Sequence, residues 1–160
     1  MTGMTFRDLL ALRPEIEALN AEFAYLIDHD QSDRVADLFT ADGIYGRSTG
    51  DRSVGREAIR DSYRRRKDKG PRTARHVFSN LRLTPRDDGR VDGACILTLF
   101  ARDGLPPHPA DPLVVADYDD VYECCDDDGR WRFKQRIISW IFVREGAASP
   151  LVLGAGKENR

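Results

Sequence analysis

His76 is the residue of this chain whose position most directly suggests chemistry. It lies near the start of RTARHVFSNLRL, residues 72–83, whose alternating pattern predicts a β-strand. A neutral imidazole can accept a proton on one ring nitrogen, and a carboxylate on the other nitrogen stabilises the imidazolium that forms. The stretch therefore has two interpretations: a catalytic base that has a partner carboxylate and an apolar pocket, or an ordinary imidazole with one hydrogen bond.

Asp28 is the candidate partner carboxylate among the 27 acidic residues. It ends a second stripe on the first predicted helix, a stripe that also carries Ala21, Ala24 and Tyr25. Small and aromatic side chains on this stripe predict that the helix is covered on two sides, because a solvated face would carry more charge.

The last predicted strand places a cation next to an apolar stretch. Arg136 is followed at alternate positions by apolar side chains, which predicts a pocket wall with one anion-stabilising group. The alternative is an exposed arginine, the commoner situation on a strand. The residues expected to contact a substrate are Phe23, Phe78, Asn80, Tyr118, Ile138, Trp140 and Phe142.

Three helices are predicted in the first 70 residues. The first has Pro14 as its first helical residue, the second is QSDRVADLF with Ser32 as its cap, and the third is REAIRDSYRRRKDK, ended by Gly70. The stretch TADGIYG predicts a turn followed by a short extended piece. The core-facing stripe of the first helix is Ile16, Leu19, Phe23 and Ile27.

From residue 73 the hydrophobic period changes to two. Two strands flank RDDG and two more flank DDDG, so the pattern predicts two hairpins and four long antiparallel strands. Helices followed by strands indicate an α+β fold, in which about three helices pack on a strongly curved antiparallel sheet and enclose a hydrophobic pocket. We expect a single domain over residues 1–145 and a flexible tail or lid over residues 146–160.

The composition indicates a soluble cytoplasmic protein. A net charge of −2 and a pI of about 5.9 give no basis for binding nucleic acid or a membrane surface. The apolar stretches are too short to span a bilayer, and the N-terminus does not have the layout of a signal peptide. Cys95, Cys124 and Cys125 are expected to be free thiols. Neither metal-ligand spacing nor a dinucleotide fingerprint occurs, so we expect no metal and no cofactor.

Four stretches in order resemble the SnoaL-like branch of the nuclear transport factor 2-like superfamily: EFAYLIDHDQSDRVADLFTADGIY, GREAIRDSY, RTARHVFSNLRL and DYDDVYE…DGRWRFKQRIISW. The resemblance covers roughly residues 8–145 and implies a cone-shaped α+β barrel with a hydrophobic cavity. Within this branch the chain is similar to scytalone dehydratase, bile-acid dehydratase and lindane dehydrochlorinase.

The resemblance implies roles for individual residues. The aspartate that ends the first helix in such enzymes falls on Asp28, the histidine of the first long strand on His76, and the dehydrochlorinase arginine of the last strand on Arg136. Tyr25 matches a dehydratase-type position. Phe23 replaces a lysine of the dehydrochlorinase, which favours general elimination or isomerisation over loss of halide.

We therefore expect a cofactor-independent lyase or isomerase that acts on a small hydrophobic cyclic substrate. His76 would remove a proton, Asp28 would orient it, and Arg136, together with Tyr25 or Asn80, would stabilise the anion. The superfamily also contains scaffolding β subunits of aromatic-ring dioxygenases and ligand-binding modules, which are the alternative functions. We also expect a homodimer or homotrimer that buries Val121, Ile137 and Ile141.

Overall fold

Residues 4–147 are described by a computed structural model, which has the predicted α+β fold. Two α-helices and a 3₁₀ helix pack on a curved six-stranded sheet that is not closed. Of the expected C-terminal tail, residues 148–160 lie outside the described residues. The elements in chain order are α1 (Phe6–Asp28), the 3₁₀ helix (Ser32–Leu38), β1 (Phe39–Arg47), β2 (Arg52–Val54), α2 (Arg56–Lys67), β3 (Arg72–Pro85), β4 (Val91–Asp103), β5 (Val114–Cys124) and β6 (Trp131–Val143).

The strands lie in the order β2-β1-β6-β5-β4-β3. The two predicted hairpins, β3–β4 and β5–β6, are present and supply the four long antiparallel strands. β1 lies parallel to β6, which brings the N-terminal part of the chain into the middle of the sheet. Among the described residues no helix is long and apolar enough to cross a bilayer.

β1 is longer than the short extended piece that the sequence predicted. The register with β6 shifts between Phe39 and Ile44, so the Asp42-Gly43 pair occupies an irregularity within one strand instead of a turn before it. A Cβ at Gly43 would lie 2.9 Å from the Cβ of Phe39. The glycine therefore marks a close approach inside the strand.

The first helix begins earlier than predicted. Thr5 caps α1 through a capping box: its hydroxyl accepts a hydrogen bond from the Asp8 amide at 3.3 Å, and its own amide donates to the Asp8 carboxylate at 2.7 Å. Pro14, expected at the first helical position, lies inside the helix. The prediction failed because this capping signal lies two turns upstream of the proline.

The second predicted helix is a 3₁₀ helix, and Ser32 is its first residue instead of its cap. Gln31 holds the cap position and makes no side-chain capping bond. α2 lies where the third helix was predicted, although it ends at Lys67, before the expected stop at Gly70. Gly70 has φ +98°, a conformation that L side chains rarely adopt.

The core is built around Phe23 of α1. This ring is fully buried and contacts five other aromatic rings at centroid distances between 5.7 and 6.5 Å: Phe39, Tyr45, Phe78, Tyr118 and Phe133. The second stripe of α1 is not covered along its length, because Ala21 and Tyr25 are exposed. Its last member, Asp28, is covered by β3.

The sheet face turned away from the helices retains exposed apolar side chains. Ile141 is 52% exposed and Phe142 68% exposed, while Val121 is half-buried and Ile137 is already buried within one chain. Phe142 pairs with Val115 on this outer face. Exposed apolar groups on a sheet are typical of a face that another chain covers.

We predict that a second copy of the chain covers this face in a homodimer or homotrimer. Replacing Phe142 by Asp should then yield a monomer, because a desolvated carboxylate at the interface has no partner. Light scattering at high micromolar concentration measures the mass. Leu10→Asp, on the exposed side of α1, is the control and should leave the mass unchanged. A monomeric wild-type protein would contradict the prediction.

Candidate active site

Asp28 and His76 form a buried pair between the end of α1 and the start of β3. The Nδ1 atom of His76 lies 2.6 Å from Oδ1 of Asp28, and the His76 backbone amide donates to Oδ2 at 2.9 Å. The two side chains of His76 and Asp28 are only 7% and 6% exposed. The contact that the sequence predicted is therefore present, with both carboxylate oxygens engaged by one residue.

The position of Asp28 is unfavourable for an unpartnered carboxylate. It is the last residue of α1, and the last helical turn contains no basic residue. The negative end of a helix dipole disfavours an anion by about 0.3–1 kcal/mol, and burial adds a desolvation penalty. The two hydrogen bonds from His76 offset these terms.

The pair lines a cavity of about 560 Å³, a size within the range usual for small-molecule sites. The apolar part of the lining comes from α1, β3, β4 and the loop after β4. Polar residues come from the end of α1 and from both ends of the α2–β3 connection. The lining consists of Ile27, Asp28, His29, Asp30, Ser32, Tyr45, Tyr63, Arg66, Lys67, Gly70, Pro71, Arg72, Ala74, His76, Leu99, Ala101 and Leu105.

Two tyrosines supply neutral hydrogen-bonding groups to this lining. Tyr45 of β1 and Tyr63 of α2 stack with ring centroids 5.7 Å apart and an interplanar angle of 10°. The buried Tyr63 hydroxyl interacts with the Tyr45 hydroxyl, whose pKa it lowers, and has no other hydrogen-bond partner among residues 4–147. Burial raises the pKa of Tyr45, and it raises the pKa of Tyr63 well above the usual value. Both phenols therefore stay protonated at neutral pH and can donate.

Arg136 is in the core instead of the cavity lining. It is fully buried, and its Nε and Nη2 atoms donate to Asp120 at 2.9 and 2.7 Å. Nη2 also donates to Oδ1 of Asn20. The guanidinium lies over four rings at 4.1–5.1 Å: Phe23, Phe78, Tyr118 and Phe133. Its Nη1 atom is buried and has no hydrogen-bond partner among residues 4–147. Arg136 is not among the residues that line the cavity in the described part of the chain, so its role as a direct anion-stabilising group stays a prediction.

The partners of Arg136 are joined to one another in a polar network. Tyr122 donates to Asp120 at 2.7 Å and accepts from the Asn20 amide at 3.1 Å, while that amide also donates to the Ile16 carbonyl at 2.9 Å. Burial alone would lower the pKa of the Arg136 guanidinium, but the charge and hydrogen bonds of Asp120 outweigh burial and raise it. The ion pair is therefore maintained in the core.

The other predicted site residues lie in four different places. Phe23, Tyr118 and Ile138 belong to the hydrophobic core, and Phe78 and Trp140 pack against it, the latter beneath the Arg47 guanidinium. Asn80 is exposed and has φ +56° at a register shift in β3, which takes it away from the face of His76. Phe142 is on the outer face, and Tyr25 is 49% exposed and stacks on His29. None of these side chains is among the residues that line the cavity in the described part of the chain.

A profile of the SnoaL-like domain family matches residues 8–137, most of the described chain. The chain belongs to the SnoaL-like domain family. A comparison with curated protein sequences found no significant match.

Solved structures with the SnoaL-like fold agree with this assignment. A scytalone dehydratase-like protein from Novosphingobium aromaticivorans is 19% identical with a TM-score of 0.74, over 87% of this chain and 90% of that one. ActVI-ORFA from Streptomyces coelicolor is 19% identical with a TM-score of 0.71, over 81% and 97%. LinA is 21% identical with a TM-score of 0.68, over 88% and 94%. At these identities the similarity establishes the fold.

Sequence reasoning missed the tyrosines and the cations of this SnoaL-like cavity. Tyr63, Arg66 and Lys67 lie on the third predicted helix, to which the sequence assigned no site residue, and Tyr45 follows the predicted turn in β1. Helical spacing carried a usable signal, because Ile59, Tyr63 and Arg66 follow one another at intervals of four and three residues. Among residues 4–147 no group of three or more His, Cys, Asp or Glu side chains is placed to hold a metal ion.

We predict that Asp120 is essential for the stability of this SnoaL-like domain. Asp120→Ala leaves the Arg136 guanidinium buried without its carboxylate, so the free energy of unfolding should fall by about 3–5 kcal/mol. Urea denaturation measures the change. Asp117→Ala, on the exposed outer face of the same strand, is the matched control and should change it by less than about 0.5 kcal/mol. Equal effects of the two substitutions would contradict the structural role of the pair.

Proposed function

We propose that the protein is a cofactor-independent lyase or isomerase of the dehydratase type, which acts on a small hydrophobic cyclic substrate. The observation that carries the proposal is the buried pair of Asp28 and His76 in the lining of a partly apolar cavity. An imidazole paired with a carboxylate, next to space for a ligand, is the arrangement that general-base catalysis requires.

The hydrogen-bonding pattern assigns the two nitrogens of the imidazole. A carboxylate only accepts hydrogen bonds, so Nδ1 of His76 carries the hydrogen that faces Asp28. The Nε2 atom is then the nitrogen that accepts a proton from substrate. When it does so, the ring becomes positively charged, and Asp28 stabilises the imidazolium at 2.6 Å. The second hydrogen bond, from the His76 amide, fixes the carboxylate in this orientation.

A carbon acid next to a carbonyl group fits these residues. Nε2 of His76 takes the proton, and the electrons of the C–H bond form a C=C bond. The product is an enolate, whose negative charge lies mainly on the former carbonyl oxygen. A hydroxyl group on the next carbon then leaves as water with the proton from the imidazolium, which restores the carbonyl and the base. If the substrate has a C=C bond conjugated with the enolate in place of the hydroxyl, return of the proton to the far carbon of that dienolate gives an isomer.

Tyr63, with Tyr45, takes the anion-stabilising role in this proposal in place of Arg136. An oxyanion in an apolar cavity needs donors that are already in place, because reorganising them would raise the barrier. The buried Tyr63 hydroxyl, which within residues 4–147 interacts only with the Tyr45 hydroxyl, is such a donor. A ligand oxygen beside it would satisfy a group that otherwise remains desolvated.

Structural neighbours support the reaction class. The similar structures include a scytalone dehydratase-like protein and LinA, which share the fold at 19% and 21% identity. A scaffolding subunit or a simple binding module would not need a buried base paired with a carboxylate. If either alternative is correct, the substitutions described next should change assembly or ligand affinity, and no catalytic rate should be measurable in the wild-type protein.

We expect replacement of the base to remove most of the activity. His76→Ala should lower kcat by roughly 10²–10⁴-fold, the usual contribution of a general base. Asp28→Asn keeps the shape but loses the charge that stabilises the imidazolium, so kcat should fall while KM changes little. The assay is a screen of cyclic hydroxy-ketones and halogenated alicyclic compounds, in which the loss of water or halide from each compound is monitored.

His108→Ala is the matched control for His76→Ala, because His108 does not line the cavity and its ring hydrogen-bonds a loop carbonyl. It should retain the wild-type rate. If a substrate turns over and the His76→Ala protein matches the wild type, the proposed base is incorrect.

The phenol proposal has its own test. Tyr63→Phe removes a single donor to the developing oxyanion and should lower kcat by roughly 10²-fold with a small effect on KM. Tyr25→Phe removes a hydroxyl of the same kind from the exposed face of α1 and should have no effect. The reverse pattern, with Tyr25 essential and Tyr63 dispensable, would restore the role that the sequence assigned to Tyr25.

A further inference from the structure

A second imidazole lines the cavity beside the pair of Asp28 and His76. His29 follows Asp28 directly as the C-terminal cap of α1, and it is one of the lining residues. Consecutive Cα atoms are about 3.8 Å apart, so both imidazoles border the cavity at the same end of α1. His29 is exposed, whereas the side chain of His76 is only 7% exposed. The cavity thus has one imidazole that is sheltered from water and one that is in contact with it.

Tyr25 holds the His29 ring in one orientation. The Nδ1 atom of His29 lies 2.9 Å from the Tyr25 carbonyl oxygen, which only accepts hydrogen bonds, so Nδ1 carries a hydrogen. The ring also stacks on the Tyr25 side chain, with centroids 4.1 Å apart and an interplanar angle of 20°. The Nε2 atom of His29 makes no hydrogen bond within residues 4–147. A proton that this ring gains or loses is therefore carried at Nε2.

The other polar groups of the lining are poorly suited to deliver a proton. Burial raises the pKa of Tyr45 and of Tyr63, so both phenols are weak acids. The Lys67 ammonium is engaged by Asp30, because it donates to the Asp30 carbonyl at 3.0 Å and lies 3.5 Å from its carboxylate. Guanidinium groups and aliphatic hydroxyls do not release a proton near neutral pH. An imidazole has an ordinary titration range that includes neutral pH, so it can give up a proton and regain it.

The fixed orientation of His76 limits what it can do after it has accepted a proton. Its ring and its backbone amide are both held by Asp28, at 2.6 and 2.9 Å, so Nε2 occupies one position in the cavity wall. In the reaction proposed above, this nitrogen would have to reach the carbon acid first and an oxygen on the next carbon afterwards. Hydroxide is a poor leaving group, so the oxygen needs a proton as the C–O bond breaks. A second imidazole removes the requirement that one nitrogen reaches both atoms.

We propose that His29 is the general acid of this elimination. Nε2 of His76 takes the proton from carbon and leaves an enolate, and the protonated Nε2 of His29 donates its proton to the hydroxyl oxygen. The enolate electrons form the C=C bond and restore the carbonyl, while the electrons of the C–O bond leave with water. His76 then releases its proton, and the exposed His29 regains one from solvent. The proposal rests on the function proposed above for the base, and it deepens that function by assigning a separate acid.

The test compares two leaving groups on one carbon skeleton. β-Hydroxycyclohexanone needs a proton on its oxygen to lose water, whereas chloride leaves β-chlorocyclohexanone without one. Both compounds give the same enone, whose absorbance is followed after subtraction of the uncatalysed rate. His29→Asn should lower kcat for the hydroxy compound by roughly 10²-fold, and it should change kcat for the chloro compound by less than about threefold.

A second variant separates proton transfer from hydrogen bonding and helix capping. Asn at position 29 keeps an amide that can donate to the Tyr25 carbonyl, and Gln places an amide near the position of Nε2. Neither amide transfers a proton, so His29→Gln should lose the reaction of the hydroxy compound as His29→Asn does. Continued loss of chloride in both variants shows that they are folded and that His76 is intact. His108→Asn is the matched control and should retain both rates, because His108 does not line the cavity.

The outcomes separate this proposal from the proposed function. His76→Ala should slow both reactions by a similar factor, because both need the base. If the wild-type protein turns over neither compound, the proposed reaction is incorrect, and the acid role of His29 is overturned with it. If it turns over both compounds and the His29 variants lose them equally or lose neither, the acid role alone is overturned and His76 remains the base. Full activity of His29→Gln on the hydroxy compound would overturn proton transfer from His29 as well.

Discussion

The buried guanidinium of Arg136 constrains the whole domain. A charge without access to water must be paired, because an unpaired one costs several kcal/mol. Its partners come from separate elements: Asp120 from β5 and Asn20 from α1. Rings from α1, β3, β5 and β6 pack around it. Any rotation or shift of α1 against the sheet would break the Asn20 contacts and leave polar atoms unsatisfied, so this network fixes the helix in one position.

That fixed position is what brings the candidate dyad together. Asn20 and Asp28 are eight residues apart, which is about 12 Å along a helix. With Asn20 held against β5 and β6, the last residue of α1 reaches the start of β3, where His76 engages both of its carboxylate oxygens. The inner face of the sheet is thus divided between a dry, polar network around Arg136 and a cavity beyond the end of the helix.

This division explains which parts of the site the sequence could predict. Alternation correctly placed Phe78, Tyr118 and Arg136 on the inner face, but it carries no information about which inner residues a helix will cover. The contact of Asp28 with His76 followed from family resemblance, since helical periodicity alone left Asp28 one candidate among 27 acids. Asn80 was misplaced because a register shift at positive φ breaks the period of two. The hairpins were predictable because their Gly-containing turns are local signals, whereas the parallel pairing of β1 with β6 is not local.

Although Arg136 lies outside the cavity lining, it acts on the groups that face the cavity. Burial raises the pKa of Tyr45, whereas the hydrogen bond with Tyr63 and the positive charge of Arg136 lower it. The guanidinium charge thus extends a positive field to this phenol. Arg136 has a lowering influence on the pKa of Tyr63 as well. A phenol donates a stronger hydrogen bond as its pKa approaches that of the acceptor, so this field would favour donation to a developing enolate without any charge entering the cavity. Arg136, which stabilises the fold, would in this way also contribute to the proposed chemistry through the two tyrosines, without direct contact with the substrate.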